Sequence, residues 1–460
     1  MAHVIIAGGG MSGLSLAWFL KNSAKGWKIT LLEADSRVGG KAWTEKRDGF
    51  VIERGVNGVL DNKPSTLELA AALGVAPLRS NDASRIRFVV RDARLVALPS
   101  SPGQFLASPV LSWWGKARLM CEPLIPPAWD IEDESLAQFA RRRLGDEAYR
   151  YLIDPMASGI YAGNPERLSL KACFPRIHEL EMEYGSLIWA MIKLQAQAKK
   201  AGKSGPNAGP GGVLTSFPGG MEDLVSGLRE ALRDVIDTNA RVEEIAPEGD
   251  GWQVSVQDGR SFSGTHLVLS LPAFEAARIV KNSLPSLSRL FSHFEYPPIA
   301  VCAFGIRKNQ LDNALNGFGF LCPHCESRKV LGALWDSSVF EKRAPEGYHL
   351  VRCLMGGMRN RHILEKTDSQ IMDLALTELK ELIGLRGEPD MAMVFRWKRA
   401  IPQYHVGHLR LLESIKEELL NFPNIFIRCN WIGGVSLNDC VANSKLVASA
   451  IVSGDDSVRF

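Results

Sequence analysis

An α/β fold with a Rossmann-like parallel sheet, a second, mixed sheet and a helical insertion is the class this sequence predicts, on three observations. A β-branched run at the start leads through a glycine turn into a helix-like stretch. Strand-like and helix-like runs then alternate over most of the 460 residues, with 46% apolar content to bury two or three domains. Between residue 100 and residue 200 the strand character gives way to successive helical patterns.

The opening "HVIIAGGGMSGLSLAWFLKN" sets Gly8, Gly10 and Gly13 between strand and helix, with Gly9, Met11 and Ser12 completing the turn. The glycines permit a tight turn and let a pyrophosphate approach the helix N-terminus. A second strand, in "KITLLEADSRVGGKAWT", ends at Glu33, placed to accept hydrogen bonds from ribose hydroxyls. With that strand, helix and acidic residue around it, the glycine spacing predicts a dinucleotide site. The next residues separate flavin from nicotinamide: "RVGGKAWT" and "GFVIERGVNG" resemble the extended fingerprint of FAD-dependent amine oxidases and their relatives. That resemblance implies FAD, with Arg37, Gly39, Gly40, Lys41 and the turn Gly55, Val56, Asn57, Gly58 along the flavin and its phosphates. The match departs at Val56, where proline is common; backbone carries most of the contact there.

Residues 62–76 read as a capped helix and a connection, and "RIRFVVRDARLVALP" as a hairpin turning at Asp92 and Ala93. Residues 100–200 carry Trp113, Trp114, "EPLIPPAW" and helical patterns through "ESLAQFARRRLGDEAYRYLIDPMASGIYAG". Aromatics beside Arg141, Arg142 and Arg143 suit either a membrane-surface face or a core. Residues 195–212, rich in Gly, Lys, Pro and Ala, predict a flexible surface loop. "SFPGGMEDLVSGLREALRD" resumes with a glycine turn and an amphipathic helix, and residues 240–272 hold three strand-like stretches. A β-rich block over 297–357, an amphipathic helix over 369–384 and the segment "RCNWIGGVSLNDCV" complete the chain. In that last segment a strand end, the pair Gly433-Gly434 and the helix-start residues Ser436, Asn438 and Asp439 predict a second close-approach turn.

A net charge of +3, from 54 basic and 51 acidic residues, excludes a strong global field for nucleic acid. Eight dispersed cysteines fit a reducing compartment, and the start lacks the features of a signal peptide. "CPHC", Cys322 to Cys325, has no second CxxC to complete a metal site, so no metal is predicted. No apolar run reaches the length of a membrane span.

"AGGGMSG", "GFGFLCP", "RWKRAIPQYHVGHL" and "NWIGGVSLNDCV" together resemble the oxygen-dependent protoporphyrinogen oxidases, across essentially the whole chain and in the same order. The resemblance implies an FAD-binding domain (1–76, 213–290 and 395–460), a substrate-binding domain (77–99 and 291–394) and a helical membrane-binding insertion (100–200). It implies cytoplasmic location, peripheral to the inner membrane. It implies that Val242, Trp397 and the backbone of Val435, Ser436 and Leu437 join the cofactor site, the last three at the flavin's pyrimidine edge. Arg87 is implied to pair with a propionate of a porphyrinogen, and Phe318, Gly319, Leu321, Leu354 and Met355 to line its slot. Three two-electron oxidations of protoporphyrinogen IX to protoporphyrin IX follow, with dioxygen as acceptor and hydrogen peroxide as by-product. No side chain is assigned as general base, and His405 and His408 are read as packing or surface residues. Coproporphyrinogen III oxidation and a catalytically silent tetrapyrrole-binding flavoprotein are the alternatives, and a homodimer and a contact with ferrochelatase are left open. At Cys429, where the family often has glycine, and at Trp431 the closing motif departs from the pattern.

Overall fold

A computed structural model describes residues 2–200, 212–312, 314–455 and 457–460. Past their polar first residues His3, Lys28 and His266, the runs "HVIIA", "KITLL", "HLVL" and "IFI" are mostly apolar because both faces are covered, the signature of parallel strands. With Ile236–Asp237 they form a five-stranded parallel sheet in the order Ile236–Asp237, Lys28–Leu32, His3–Ala7, His266–Leu269, Ile425–Ile427. One face is packed by the first helix (Met11–Ser23), the helix Glu222–Ala231 and the last helix (Leu437–Ser453), through residues such as Leu16, Leu228 and Val447. The other face is packed by Trp252, Ile279, Phe291, Ile415 and Trp431.

Residues 240–272 hold four strands rather than the predicted three. Val242–Glu248, Gly251–Val256 and Ser261–Gly264 make an antiparallel sheet, and His266–Leu269 leaves it for the parallel one. The apolar run "HLVL" without alternation is what sends it there.

A seven-stranded mixed sheet runs Met391–Trp397, Ile299–Arg307, Tyr348–Gly356, Gly332–Leu334, Gly319–Leu321, Phe88–Arg91, Arg94–Ala97. The hairpin between its last two strands turns at Asp92 and Ala93 with φ of 50° and 59°, as a two-residue turn of this hand requires. Alternation assigns Ala300, Cys302, Phe304, Phe320 and Cys353 to the face packed on the helix Asp368–Ile383. Val301, Ala303, Leu350 and Phe395 face the other way, onto Phe50 and Ile52 beside the parallel sheet. Ladder pairing persists to Trp397 opposite Ile299, so the chain returns toward the parallel sheet after residue 397.

The insertion is helical from Pro102–Ala107 to Leu187–Lys200. Residues 195–200 of the predicted loop over 195–212 instead continue the last of these helices, and 201–211 lie outside the described residues. Inside the insertion the buried Arg143 pairs with the buried Glu122 at 2.7 Å, and Glu122 accepts from the backbone of Leu187 at 3.0 Å and Ile188 at 3.2 Å. The carboxylate thus completes a cap begun by Ser186, whose Oγ accepts from Trp189 N at 3.1 Å and donates to Glu122. Its outer surface exposes Trp113, Trp114, Leu124 and Trp129, each by 66% or more. Among the described residues no helix is long and apolar enough to cross a membrane.

Candidate active site

The site is built where two helices begin at the carboxyl edge of the parallel sheet. Gly8 has φ +110°, and a Cβ there would stand 2.4 Å from the Ser270 carbonyl oxygen. A Cβ on Gly13 would stand 2.0 Å from the Gly8 carbonyl oxygen, so helix and strand meet backbone to backbone. Gly10 differs: nothing lies within 4 Å of its Cβ position, and the helix that it starts has neither a side-chain cap nor an acidic first turn. Open space over uncapped N–H groups is an anion cradle. Met11 and Ser12 are buried at its base. Glu33 accepts from the N–H groups of Gly9 at 2.8 Å and Asp35 at 2.9 Å, while burial raises its pKa against those bonds. Each oxygen keeps a lone pair for a ribose hydroxyl.

A second loop closes on this turn. Gly39 donates to the Gly9 carbonyl at 2.8 Å, and the Cβ position of Gly40 is 3.3 Å from Gly10 Cα. Arg37 holds the loop from behind, donating to the carbonyls of Gly40 and Ala42 at 3.0 Å each and to Glu222 at 2.8 Å. Its guanidinium serves the loop. Lys41 donates to the Ala400 carbonyl above the Tyr296 ring, and burial lowers its pKa to about 8. Gly55 and Gly58 each pass so near other backbone that a Cβ would stand 2.6 Å from the carbonyl oxygens of Lys41 and Thr215 respectively. Between them Val56 packs on the core and Asn57 is turned by Arg352, whose Nη2 donates to Oδ1 at 2.8 Å. Arg352 is fixed by two bonds to Asp336, at 2.6 and 2.7 Å, and the buried Nδ2 of Asn57 has no partner among the described residues. Trp397 donates its indole N–H to the Arg54 carbonyl at 2.7 Å. The Val242 carbonyl already accepts from Arg278 at 2.7 Å.

The second glycine turn mirrors the first. Gly433 and Gly434 have φ of +70° and +118°, and Ser436 caps the last helix by accepting from Asp439 N at 3.1 Å. Leu437 enters the core beside the first helix, Val435 packs on the insertion's core, and Ser444 Oγ donates to the Ser12 carbonyl at 2.9 Å. Tyr404, not singled out in the sequence, pins this turn: its hydroxyl donates to the Asn430 carbonyl at 2.8 Å and accepts from Gly434 N at 3.1 Å. The signal was present in "PQYHVGHL", where Tyr404 directly precedes His405.

Facing these turns is the mixed sheet. Leu321, Gly332, Leu354 and Val301 form one cross-strand row on this face, and Gly319, Leu334 and Arg352 the next. Leu321 packs so near Gly159 that a Cβ there would stand 2.7 Å from its Cδ2, so the helix Asp154–Tyr161 closes that end. Arg87 lies 5.3 Å from the centre of the half-buried Phe318 ring, and burial, with no carboxylate partner among the described residues, lowers its pKa. Met355 is a correction: strand alternation turns it to the opposite face, where it is fully buried against the helix Asp368–Ile383. Cys322 is buried and Cys325 exposed, and among the described residues no cluster of metal-ligating side chains occurs.

A strip of glycine backbone between two helix N-termini, opposite an apolar sheet, is the arrangement of a dinucleotide-dependent oxidoreductase. Comparison with known proteins narrows that class: the chain belongs to the flavin containing amine oxidoreductase family, whose model matches residues 11–452. It is an FAD-dependent oxidase. Over 97% of both chains it is 30% identical to the coproporphyrinogen III oxidase of Bacillus subtilis (strain 168). It is 29% identical to the mitochondrial protoporphyrinogen oxidase of Nicotiana tabacum, over 99% of this chain and 96% of that one. A crystal structure from Exiguobacterium sp. 255-15, of a candidate protoporphyrinogen oxidase, superposes with a TM-score of 0.84 at 25% identity over 99% of each chain. Reduced UDP-galactopyranose mutase, at 16% identity and a TM-score of 0.76, shares the fold.

The histidines behind Tyr404 give the site a pH dependence. His408 is buried, stacked 3.9 Å from Tyr404 and edge-on to Phe294, and burial pushes it down to about 3. Burial and Arg167 push His405 down to about 4, against the opposing pull of Glu295. Both folded pKa values lie below the ordinary value of about 6.5, so the stability is complete above that pH and falls as the pH drops toward 4. Glu53 acts in the opposite sense, burial having raised it to about 7, so the informative quantity is a difference. Thermal melts from pH 7.5 to 5 are expected to show a smaller loss of midpoint in His408→Phe than in wild type. Equal losses would remove His408 from the account.

Proposed function

We propose that the chain oxidises protoporphyrinogen IX to protoporphyrin IX in three two-electron steps, each reducing one dioxygen to hydrogen peroxide. The observation that carries this reading is Arg87, a desolvated guanidinium with no carboxylate partner among the described residues, at the edge of an apolar wall. A flat, apolar tetrapyrrole with propionates on one side needs that combination. Full-length similarity to two kinds of porphyrinogen oxidase supports it.

Bound FAD supplies the two-electron chemistry that no side chain offers. The chain's own residues place and surround the reactants. The Gly10 cradle and Glu33 hold the dinucleotide end, and the second helix N-terminus offers partial positive charge at the other. Arg87 fixes the substrate's carboxylates, and the row Leu321, Gly332, Leu354 excludes water from its carbon face. Gly319, at φ +131°, adds no side chain to the wall, and a Cβ there would stand 2.0 Å from the Ala333 carbonyl oxygen of the neighbouring strand, so only glycine fits. In this reading 1–76, 213–290 and 395–460 carry the cofactor, and 77–99 with 291–394 carry the substrate.

A second reading, coproporphyrinogen III as substrate, is favoured by the Bacillus subtilis relative. One anchor of the Arg87 kind suits two neighbouring propionates better than four carboxylates spread round the ring. Rates on both porphyrinogens decide between them. Arg87→Ala is expected to raise the KM for protoporphyrinogen by about 10- to 150-fold, the loss of about 1.5–3 kcal/mol for a hydrogen bond to a charged group, with flavin content unchanged. An unchanged KM would contradict the assignment.

The exposed Trp113, Trp114, Leu124 and Trp129 of the insertion form a face for a bilayer surface, which would deliver an apolar substrate. Sedimentation with phospholipid vesicles is expected to bring down the wild type. The double variant Trp113→Ser, Trp114→Ser should bind about 100-fold more weakly, from about 3 kcal/mol of lost apolar burial. Equal sedimentation of the two would exclude this face.

A further inference from the structure

Arg428 has no part in the site as drawn so far. It is fully buried directly after the strand Ile425–Ile427. Its Nη1 donates to the Ile432 carbonyl at 3.2 Å and lies 4.0 Å from the Cβ position of Gly433, while Nε and Nη2 have no partner among the described residues. Among the described residues it forms no ion pair. The acidic residue in the first turn of the last helix, Asp439, is taken by Lys63 at 2.5 Å and by Ser436 Oγ at 2.6 Å. Burial keeps the neighbouring Tyr404 and Cys429 protonated, so neither supplies a counter-charge.

A full positive charge held away from water without a partner is strongly unfavourable, and it persists where something else draws on it. What adjoins Arg428 is the paired-glycine turn: the Cβ position of Gly433 lies 4.0 Å from its Nη1 and 2.7 Å from the Asn443 amide, and that of Gly434 lies against the Asp439 carboxylate, which Lys63 pairs, at the capped N-terminus of the last helix. A charge in such a low-dielectric setting acts over several ångströms without contact.

We infer that Arg428 acts across the Gly433-Gly434 turn on the negative charge that the flavin's pyrimidine end takes up on reduction, and so raises the cofactor's reduction potential. This rests on the reading that the turn faces that end of the ring. Arg428 touches neither cofactor nor substrate in this role; it sets the field in which the cofactor works. The helix N-terminus contributes partial charge at the same place, and Arg428 adds a whole one.

The test uses FAD-loaded protein and two readouts that a merely structural residue would not move. One is the midpoint potential; the other is the affinity for sulfite, which adds reversibly to oxidised flavin and leaves negative charge on the pyrimidine side. Arg428→Met, neutral and of similar length, is expected to shift the two-electron reduction equilibrium about tenfold toward oxidised flavin, about 30 mV, and to weaken sulfite binding about tenfold. Arg428→Lys should restore both toward wild type. A Met variant that retains FAD with unchanged potential and sulfite affinity would overturn the inference, as would a folded Lys variant that behaves like Met. If Met loses FAD, the Lys variant decides: wild-type potential with bound flavin supports a charge role, and flavin loss there too assigns Arg428 to packing and overturns it. Failure of the wild type itself to bind flavin would instead sink the reading of the site.

Discussion

Two helices, starting at residues 11 and 437, have to begin at the same edge of one sheet with backbone touching backbone, and the rest of the chain is arranged around that requirement. Gly13 against the Gly8 carbonyl brings the first helix down onto its strand, and Ser444 to the Ser12 carbonyl binds the last helix to the first. Since those helices stand at opposite ends of the sequence, everything between them is an excursion that must return. The mixed sheet and the helical insertion are such excursions, and the return passes through Tyr404, which holds the second glycine turn by both its donor and its acceptor.

The seam between the two sheets is held by charge rather than by apolar packing alone. Arg352 projects from the mixed sheet, is clamped by Asp336, and reaches Asn57 and the Glu53 carbonyl on the cofactor side. Glu53 in turn accepts from Met221 N at 2.8 Å and Thr44 Oγ1 at 2.8 Å, with Arg343 at 3.7 Å. Buried pairs of this kind add little net stability compared with apolar substitutes, but breaking one leaves an uncompensated charge. A network spanning both halves therefore penalises any shift of the wall relative to the cradle.

The parallel sheet and its first turn were legible because strand, glycines and helix are contiguous, so local pattern carries the whole motif. The closing segment was legible for the same reason, with Ser436 read as a helix start and found to be its cap. Less was readable where contacts are distant. Leu354 and Met355 are adjacent in sequence, but only the pairing with Val301 and Ala300 reveals which side each takes. Tyr404 and Arg428 left no pattern that periodicity could detect, since one acts through a partner 30 residues away and the other is defined by what it lacks. The fourth strand of residues 240–272 was hidden because Thr265 alone separates Ser261–Gly264 from His266–Leu269, so the two read as one stretch.

The central claim is that the cradle and the wall hold one cofactor and one porphyrinogen face to face. An anaerobic absorbance titration of the FAD-loaded protein with protoporphyrinogen tests it most directly. Immediate bleaching of the flavin's visible band is expected, with recovery, porphyrin absorbance and hydrogen peroxide when oxygen is admitted. A flavin that stays oxidised in the presence of fresh porphyrinogen would contradict it.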